Sequence, residues 1–287
     1  MRRLFPVTDQ TPPVPTGRPD RSTAPVGGAA TGTAGVPGAP AEEREWSLDE
    51  LAEAYAYPAT AAAAGGAAWL RANMVSSLDG AAQHDGRSQP ISSAADMRIF
   101  GTLRGLADVV VVGAETVRLE GYRPARARDA FAARRAAAGQ GPAPAVAVVS
   151  ASLDLDFSLP LFTAPLVPTL LLTGAAAPAD RVGRAREAGV EVVVAGDGAG
   201  AEPARIVAEL AARGLTRQLT EGGPRLLGQF VADGVLDELC LTVSPTLTAG
   251  DAQRIAGGPS LAVPARFALA SLLEEDGFLF TRYRRKG

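Results

Sequence analysis

The chain has 287 residues, enough for one large domain or two small ones, with 47% apolar content and a formal net charge of −3. This balance, with a pI near 5.4, argues against a surface built for nucleic acid, and no apolar run is long enough to span a bilayer. One cysteine, Cys240, and one histidine, His84, exclude an intrachain disulfide and leave no basis for a Cys/His zinc site.

Residues 1–44 are rich in Pro, Gly, Ala and Thr, so a disordered tail is expected there. The start lacks an apolar signal core, and with the lone cysteine this leads to the expectation of a cytoplasmic chain. Residues 45–66 read as a capped helix and a linker. Ser47-Leu-Asp-Glu50 is a capping box, the helix stops before Pro58, and 59–66 are alanine and glycine. The domain that carries the chemistry is expected over 67–287.

Ala68 to Ser76 predicts a strand whose apolar run is too continuous for one exposed face, as in a parallel sheet. It ends in Ser76-Ser77-Leu78-Asp79-Gly80, which reads as a turn beside a strand C-terminus. His84 follows in a glycine-flanked loop with no G-x-S-x-G elbow to partner it, and is expected to be solvated. Ser93 predicts an N-cap for a helix through Leu106 that carries Arg98 and Arg104. Asp108 to Gly113 is the clearest buried strand, four valines in a row, and Gly113-Ala-Glu-Thr-Val117 opens a helix from its C-terminal end. Residues 119–126 are irregular and arginine-rich, and 127–138 read as an exposed helix. Strands are then predicted over 143–150, 168–173, 190–194, 216–220 and 236–243, alternating with helices over 179–188, 202–213 and from Pro224 to Asp233. Leu236 to Val243, poor in charge, is a candidate for a subunit interface. Two alternating strands around Asp276-Gly277 close the chain as an antiparallel hairpin. The alternation indicates an α/β fold with a mostly parallel sheet and helices on both faces.

The most informative stretch is Thr220-Glu221-Gly222-Gly223-Pro224. Proline suits the first helical turn, two glycines let the backbone bend and be approached, and the helix N-terminus offers free N–H groups to a phosphate. Glu221 stands beside that position at a strand C-terminal end, where open α/β sheets bind ligands. No G-x-G-x-x-G follows the first core strand and no G-x-x-x-x-G-K-[ST] occurs, which argues against a Rossmann dinucleotide domain and a P-loop nucleotidase.

Taken in order, Ser-Leu-Asp-Gly80, Ile-Ser-Ser93 with its helix to Arg104, Val-Gly-Ala-x-Thr-Val117, Glu-Gly-Gly-Pro-x-Leu226, Leu-Asp-Glu-Leu239 and Ser-Pro-Thr-Leu247 resemble the reductase domain of riboflavin biosynthesis. This is the C-terminal half of the bifunctional deaminase-reductase, which has the dihydrofolate-reductase fold. The resemblance spans about 68–284. It implies an NADPH-dependent oxidoreductase that reduces the ribosyl group of a phosphorylated ribosylamino-pyrimidine, and a homodimer. For the cofactor it implies Gly113, Ala114, Thr116 and Val117 on one side, and Gly222, Gly223, Pro224 and Leu226 at the pyrophosphate. Thr173 would lie near the adenosine ribose or its 2′-phosphate. For the substrate it implies Asn73, Ser77, Asp79, Ser92, Arg104 and Glu221, with Arg104 suited to a phosphate and Glu221 and Asp79 as the catalytic pair.

Three departures mark the chain. Asn73 stands where riboflavin-forming relatives carry a lysine. Glu120-Gly121-Tyr122 replaces paired aspartates before a proline, and no zinc deaminase half is present, so a stand-alone reductase domain is expected. A neutral Asn73 leaves another pyrimidine or a pterin such as dihydrofolate open as substrate, and a nucleotide-binding protein without turnover is the reading from another class.

Overall fold

The structure, a computed structural model, describes residues 1–5, 44–62 and 66–286. In chain order its elements are β1 (Arg2–Phe5), α1 (Leu48–Ala54), α2 (Ala59–Ala62), β2 (Trp69–Ser76), α3 (Ala94–Leu106), β3 (Val109–Gly113), α4 (Ala114–Leu119) and α5 (Asp129–Ala137). Then follow β4 (Ala145–Val149), α6 (Pro160–Thr163), β5 (Leu170–Thr173), α7 (Ala179–Glu187), β6 (Glu191–Val194), α8 (Pro203–Ala212), β7 (Arg217–Thr220) and α9 (Pro224–Ala232). The chain closes with β8 (Glu238–Val243), β9 (Phe267–Glu275) and β10 (Phe278–Arg285).

The described strands form one sheet in the order β1-β9-β10-β8-β2-β7-β3-β4-β5-β6. From β8 to β6 every pairing is parallel, while β10 runs antiparallel to both β8 and β9. The mostly parallel sheet with an antiparallel C-terminal pair is thus the observed α/β architecture. The hairpin turns on Asp276 (φ 54) and Gly277 (φ 81), both in the left-handed region that a two-residue turn needs.

The valines of β3 show why its run is unbroken. Val109 and Val111 join a core with Leu226, Leu227 and Phe230 from α9, whereas Val110 faces the core built by Leu51, Ile99, Leu103 and Phe131, and Val112 a third cluster. Each face of the strand is covered, so alternation has no reason to exist.

Three expectations are corrected here. Part of the tail is ordered: Arg2–Phe5 add an antiparallel edge strand to β9, while residues 6–43 lie outside the described residues. The capping-box helix is not a separate unit. Ser47 Oγ accepts from the Glu50 N–H at 3.2 Å and Glu50 accepts from the Ser47 N–H at 2.9 Å, but Leu51 and Tyr55 then pack into the main core. Full burial of a side chain of this size is worth roughly 1.5–3 kcal/mol. Beneath α1, Glu238 bridges the guanidinium groups of Arg71 (2.7 Å) and Arg282 (2.6 Å), and Arg71 donates to the Tyr55 carbonyl at 2.7 Å. β8 is central, flanked by β2 and β10, so no edge of it is free for a partner, and its residues alternate buried and half-buried, which leaves one face open. The segment read as an exposed helix, now α5, buries Phe131 and Arg135. No helix among the described residues is long and apolar enough to cross a membrane.

Candidate active site

The C-terminal ends of β2, β3, β4 and β7 open onto a two-lobed cleft. Its first lobe, about 550 Å³, is walled by the Gly113–Thr116 segment, by Ser150 to Ser152 after β4, and by Gly222 to Leu226. The β7–α9 turn forms because Gly222 (φ 107) and Gly223 (φ 26) take conformations that side chains disfavour. The two glycine segments are stapled together. Gly113 N–H donates to the Gly222 carbonyl at 3.2 Å, and Gly223 N–H donates to Thr116 Oγ1 at 3.0 Å. A Cβ on Gly223 would press that hydroxyl at 3.1 Å. In α9 the Leu227 N–H bonds back to the Gly223 carbonyl, leaving the Arg225 and Leu226 amides of the first turn for a ligand.

The second lobe, about 620 Å³, lies between β2 and α3 and includes Asn73, Ser92, Asp96, Phe100 and Glu221. Glu221 and Phe100 also line the first lobe, so the two are continuous. At their junction Arg104 donates to Glu221 through Nε (2.6 Å) and Nη2 (2.5 Å), and to the Tyr122 hydroxyl at 2.7 Å. Tyr122 in turn donates to Glu221 Oε2. The Arg104 guanidinium is 4.4 Å from the Phe100 ring centroid and 5.2 Å from that of Tyr122. Burial, and then the Glu221 carboxylate, push the Tyr122 phenol well above its ordinary pKa, so the phenol keeps its proton and donates. Burial works against the Arg104 charge, but the Glu221 carboxylate outweighs it and raises the guanidinium pKa. A carboxylate so clamped is fitted to orient a donor on a ligand.

Asp96, in the first turn of α3, was read only as a helix residue. Asp96 is 6% exposed, and its carboxylate accepts from Ser92 Oγ at 2.5 Å and Thr242 Oγ1 at 2.6 Å. Burial pushes its pKa up, against the pull of the two hydroxyls. The signal available in the sequence was its spacing: Asp96, Phe100 and Arg104 recur every four residues and share one helix face.

Of the expected residues, Asn73, Ser92, Glu221, Gly113, Ala114, Thr116, Gly222, Gly223, Pro224 and Leu226 come together on the cleft. Five sit elsewhere or act otherwise. Asp79 is exposed and spent on its own loop, accepting from the N–H groups of Thr248 (3.2 Å) and Ala249 (2.7 Å) and from Ser77 Oγ at 2.5 Å. Ser77 is buried and also accepts from the Ala81 N–H, so it shapes that turn. Val117 points into the core with Val112 and Leu153. Thr173 is fully buried under the 196–200 loop, its hydroxyl 3.3 Å from the Ala199 carbonyl. Ser150, Ala151 and Ser152, and not Thr173, line the first lobe after β4. Arg104 is committed to Glu221. On its other side a cavity of about 200 Å³ is lined by Arg104, Arg123, Arg126 and Arg128, and the Arg128 guanidinium packs where a Cβ on Gly101 would be. His84 is exposed in its loop.

The RibD C-terminal domain family matches residues 68–276. A 2,5-diamino-6-ribosylamino-4(3H)-pyrimidinone 5′-phosphate reductase from Aquifex aeolicus is 33% identical over 84 residues, which are 29% of this chain and only 37% of that protein. The crystal structure of a pyrimidine reductase-like protein from Corynebacterium diphtheriae superposes with a TM-score of 0.69 at 30% identity, over 77% of this chain and 92% of that one. A diaminohydroxyphosphoribosylaminopyrimidine deaminase/5-amino-6-(5-phosphoribosylamino)uracil reductase from Thermotoga maritima shares the fold, with a TM-score of 0.57 at 18% identity, over 77% of this chain and 57% of that one.

Proposed function

The chain belongs to the RibD C-terminal domain family, and from that premise we propose that it is an NADPH-dependent reductase of a phosphorylated ribosylamino-pyrimidine in riboflavin biosynthesis. The observation that carries this reading is the pair of stapled glycine segments facing a lobe that holds the clamped Glu221. The residues present fit a dinucleotide. Bare backbone at Gly222 and Gly223, followed by the open first turn of α9, is the chemistry a pyrophosphate requires. The Gly113–Thr116 and Gly222–Leu226 segments would hold the cofactor, and Ser150 to Ser152 would border its far end. When bound, NADPH supplies the hydride.

The rest falls to the chain's own side chains. Glu221, fixed by Arg104 and Tyr122, orients a hydroxyl or amine of the substrate at the junction of the lobes. Asn73 offers the second lobe a neutral donor and acceptor. The arginine-lined cavity behind Arg104 offers the cation density that a substrate phosphate needs. Reduction of a pterin is the second reading, favoured by the uncharged Asn73. The test is NADPH consumption by the purified protein, offered the ribosylamino-pyrimidine phosphate and dihydrofolate in parallel. Turnover of the first supports the proposal. Turnover of dihydrofolate alone selects the second reading, and NADPH binding with no turnover leaves a nucleotide-binding protein.

A homodimer belongs to the same proposal. On the sheet face away from α3, Val243 pairs with Leu279, and Leu241 and Leu272 flank Thr281. These four apolar side chains stay half-buried and lie outside the core clusters of the described residues. A second copy of this chain is the proposed cover.

A further inference from the structure

The stretch before residue 68 lies outside the family match, yet its described parts pack against the helix that walls the second lobe. Met1, Leu51, Ala52 and Tyr55 share one core cluster with Ala95, Ile99 and Leu103 of α3, and Trp46 packs against it. Among the described residues, none before Leu70 joins the two other clusters, which take up α4 and α9 behind the first lobe. Charge closes the same contact. Arg98, on α3, donates through Nη2 to both Glu275 oxygens at 2.9 Å, and its Nη1 lies 3.2 Å from Glu45 Oε1. Glu275 ends β9, the strand on which β1 lies, and Glu45 stands shortly before α1. Arg2 pairs with the neighbouring Glu274 at 2.7 Å, and the Arg3 guanidinium is 5.1 Å from the Trp46 ring centroid. One guanidinium on α3 thus joins the sheet edge to the segment that leads into α1, holding two carboxylates in fixed directions as a point charge cannot.

Two other anchors divide α3. At its C-terminal end Arg135 donates to the carbonyls of Gly105 (3.1 Å) and Ala107 (2.7 Å), so the turn that carries Arg104 is fixed independently. In its first turn Asp96 is bonded to Thr242. Arg98 lies between the two, in the half that lines the second lobe with Ala94, Asp96, Met97 and Phe100. We infer that β1 and the 44–57 segment form a brace that acts through Arg98 as a positioning residue. The brace holds the first half of α3 in place and so sets the affinity of the second lobe for its ligand, while the cofactor lobe stands apart from it. A helix half held at several points presents one arrangement of side chains to the cleft. A freed half samples several, and ordering it when a ligand binds costs affinity. The brace has this effect on catalysis only if the second lobe is the substrate side of the cleft, as proposed above.

The test makes Arg98→Ala, Arg98→Lys and Trp46→Ala in the full chain. Each is compared with wild type by amide hydrogen exchange without ligand, and by steady-state kinetics with NADPH and the ribosylamino-pyrimidine phosphate. In Arg98→Ala and Trp46→Ala, exchange over residues 97–102 of α3 is expected to quicken at least about threefold, with residues 227–232 of α9 within about twofold of wild type. KM for the pyrimidine is expected to rise about threefold to tenfold, with kcat and NADPH affinity within about twofold. Arg98→Lys, which restores the charge but not the planar fork, is expected to recover part of the loss, and it carries the test if the alanine variants do not fold. Exchange that quickens equally in α3 and α9 would mean that the extension serves only overall stability. That result, an α3 that exchanges as in wild type, or a loosened α3 with unchanged KM would each overturn the inference. Hydrogen exchange requires no turnover, so a wild type that fails to reduce the pyrimidine, which would end the proposed reaction, is distinguishable from failure of the brace.

Discussion

Glu221 has both oxygens engaged before any ligand arrives, by a guanidinium and a phenol that come from α3 and from the segment after α4. Two substitutions separate the orienting role proposed for it from a structural one. Glu221→Gln should lower kcat/KM by roughly tenfold to a hundredfold, the range for a lost charged hydrogen bond, with NADPH affinity within about threefold of wild type in a fluorescence titration. Tyr122→Phe removes only the phenol donor and should produce a smaller fall in kcat with KM little changed. An equal loss of NADPH binding in either variant would assign the network to the fold instead. Sequence reasoning singled out Glu221 because a local motif surrounds it, but not its clamp, since Arg104 lies 117 residues away. The family resemblance credited Arg104 with a phosphate and Asp79 with the site. Which partner a charge finds is decided by packing, and here the partners were Glu221 and the 248–249 loop.

At the level of elements, the two glycine segments behave as one device. Gly223→Ala would place a methyl group against Thr116 Oγ1 at 3.1 Å in a conformation with φ 26. Strain of about 1–3 kcal/mol is expected, read as a lower melting temperature together with weakened NADPH binding. Normal NADPH affinity in that variant would remove this turn from the cofactor site. The Asp79 loop makes a different prediction. The Ser77 hydroxyl and the N–H groups of Ala249 and Thr248 lower the Asp79 pKa to about 2, from a usual value of about 3.9. A depressed pKa means the stabilisation is complete above the unfolded value and is lost as pH falls through the folded one. The melting-temperature gap between wild type and Asp79→Asn should therefore be constant near neutrality and close between about pH 4 and pH 2, with kcat/KM unchanged throughout. A gap that persists at pH 2 would mean the loop does not depend on that charge. Strands and helices were legible in the sequence because valine runs, N-caps and the Asp-Gly turn act locally. The edge strand β1 was not, because four residues in a low-complexity segment carry no periodicity, and only the free edge of β9 gives them a place.

Across the whole molecule, the parallel half of the sheet is covered on both faces and places the cleft at its strand ends. The antiparallel half leaves Leu241, Val243, Leu272 and Leu279 half-buried on one face. Light scattering at micromolar concentration should report twice the 29.3 kDa chain mass, and Leu241→Glu combined with Leu272→Glu should return a monomer. A monomeric wild type would leave that face without its proposed partner. The central claim concerns chemistry, and the most direct measurement is the fate of a labelled hydride. NADPH carrying deuterium at the transferable nicotinamide position is incubated with the protein and the ribosylamino-pyrimidine phosphate, and the product is examined by mass spectrometry and NMR. The account predicts one deuterium on the sugar-derived carbon bonded to the amine of a ribityl product. Label that stays on the cofactor, or that appears on a ring carbon instead, would contradict it.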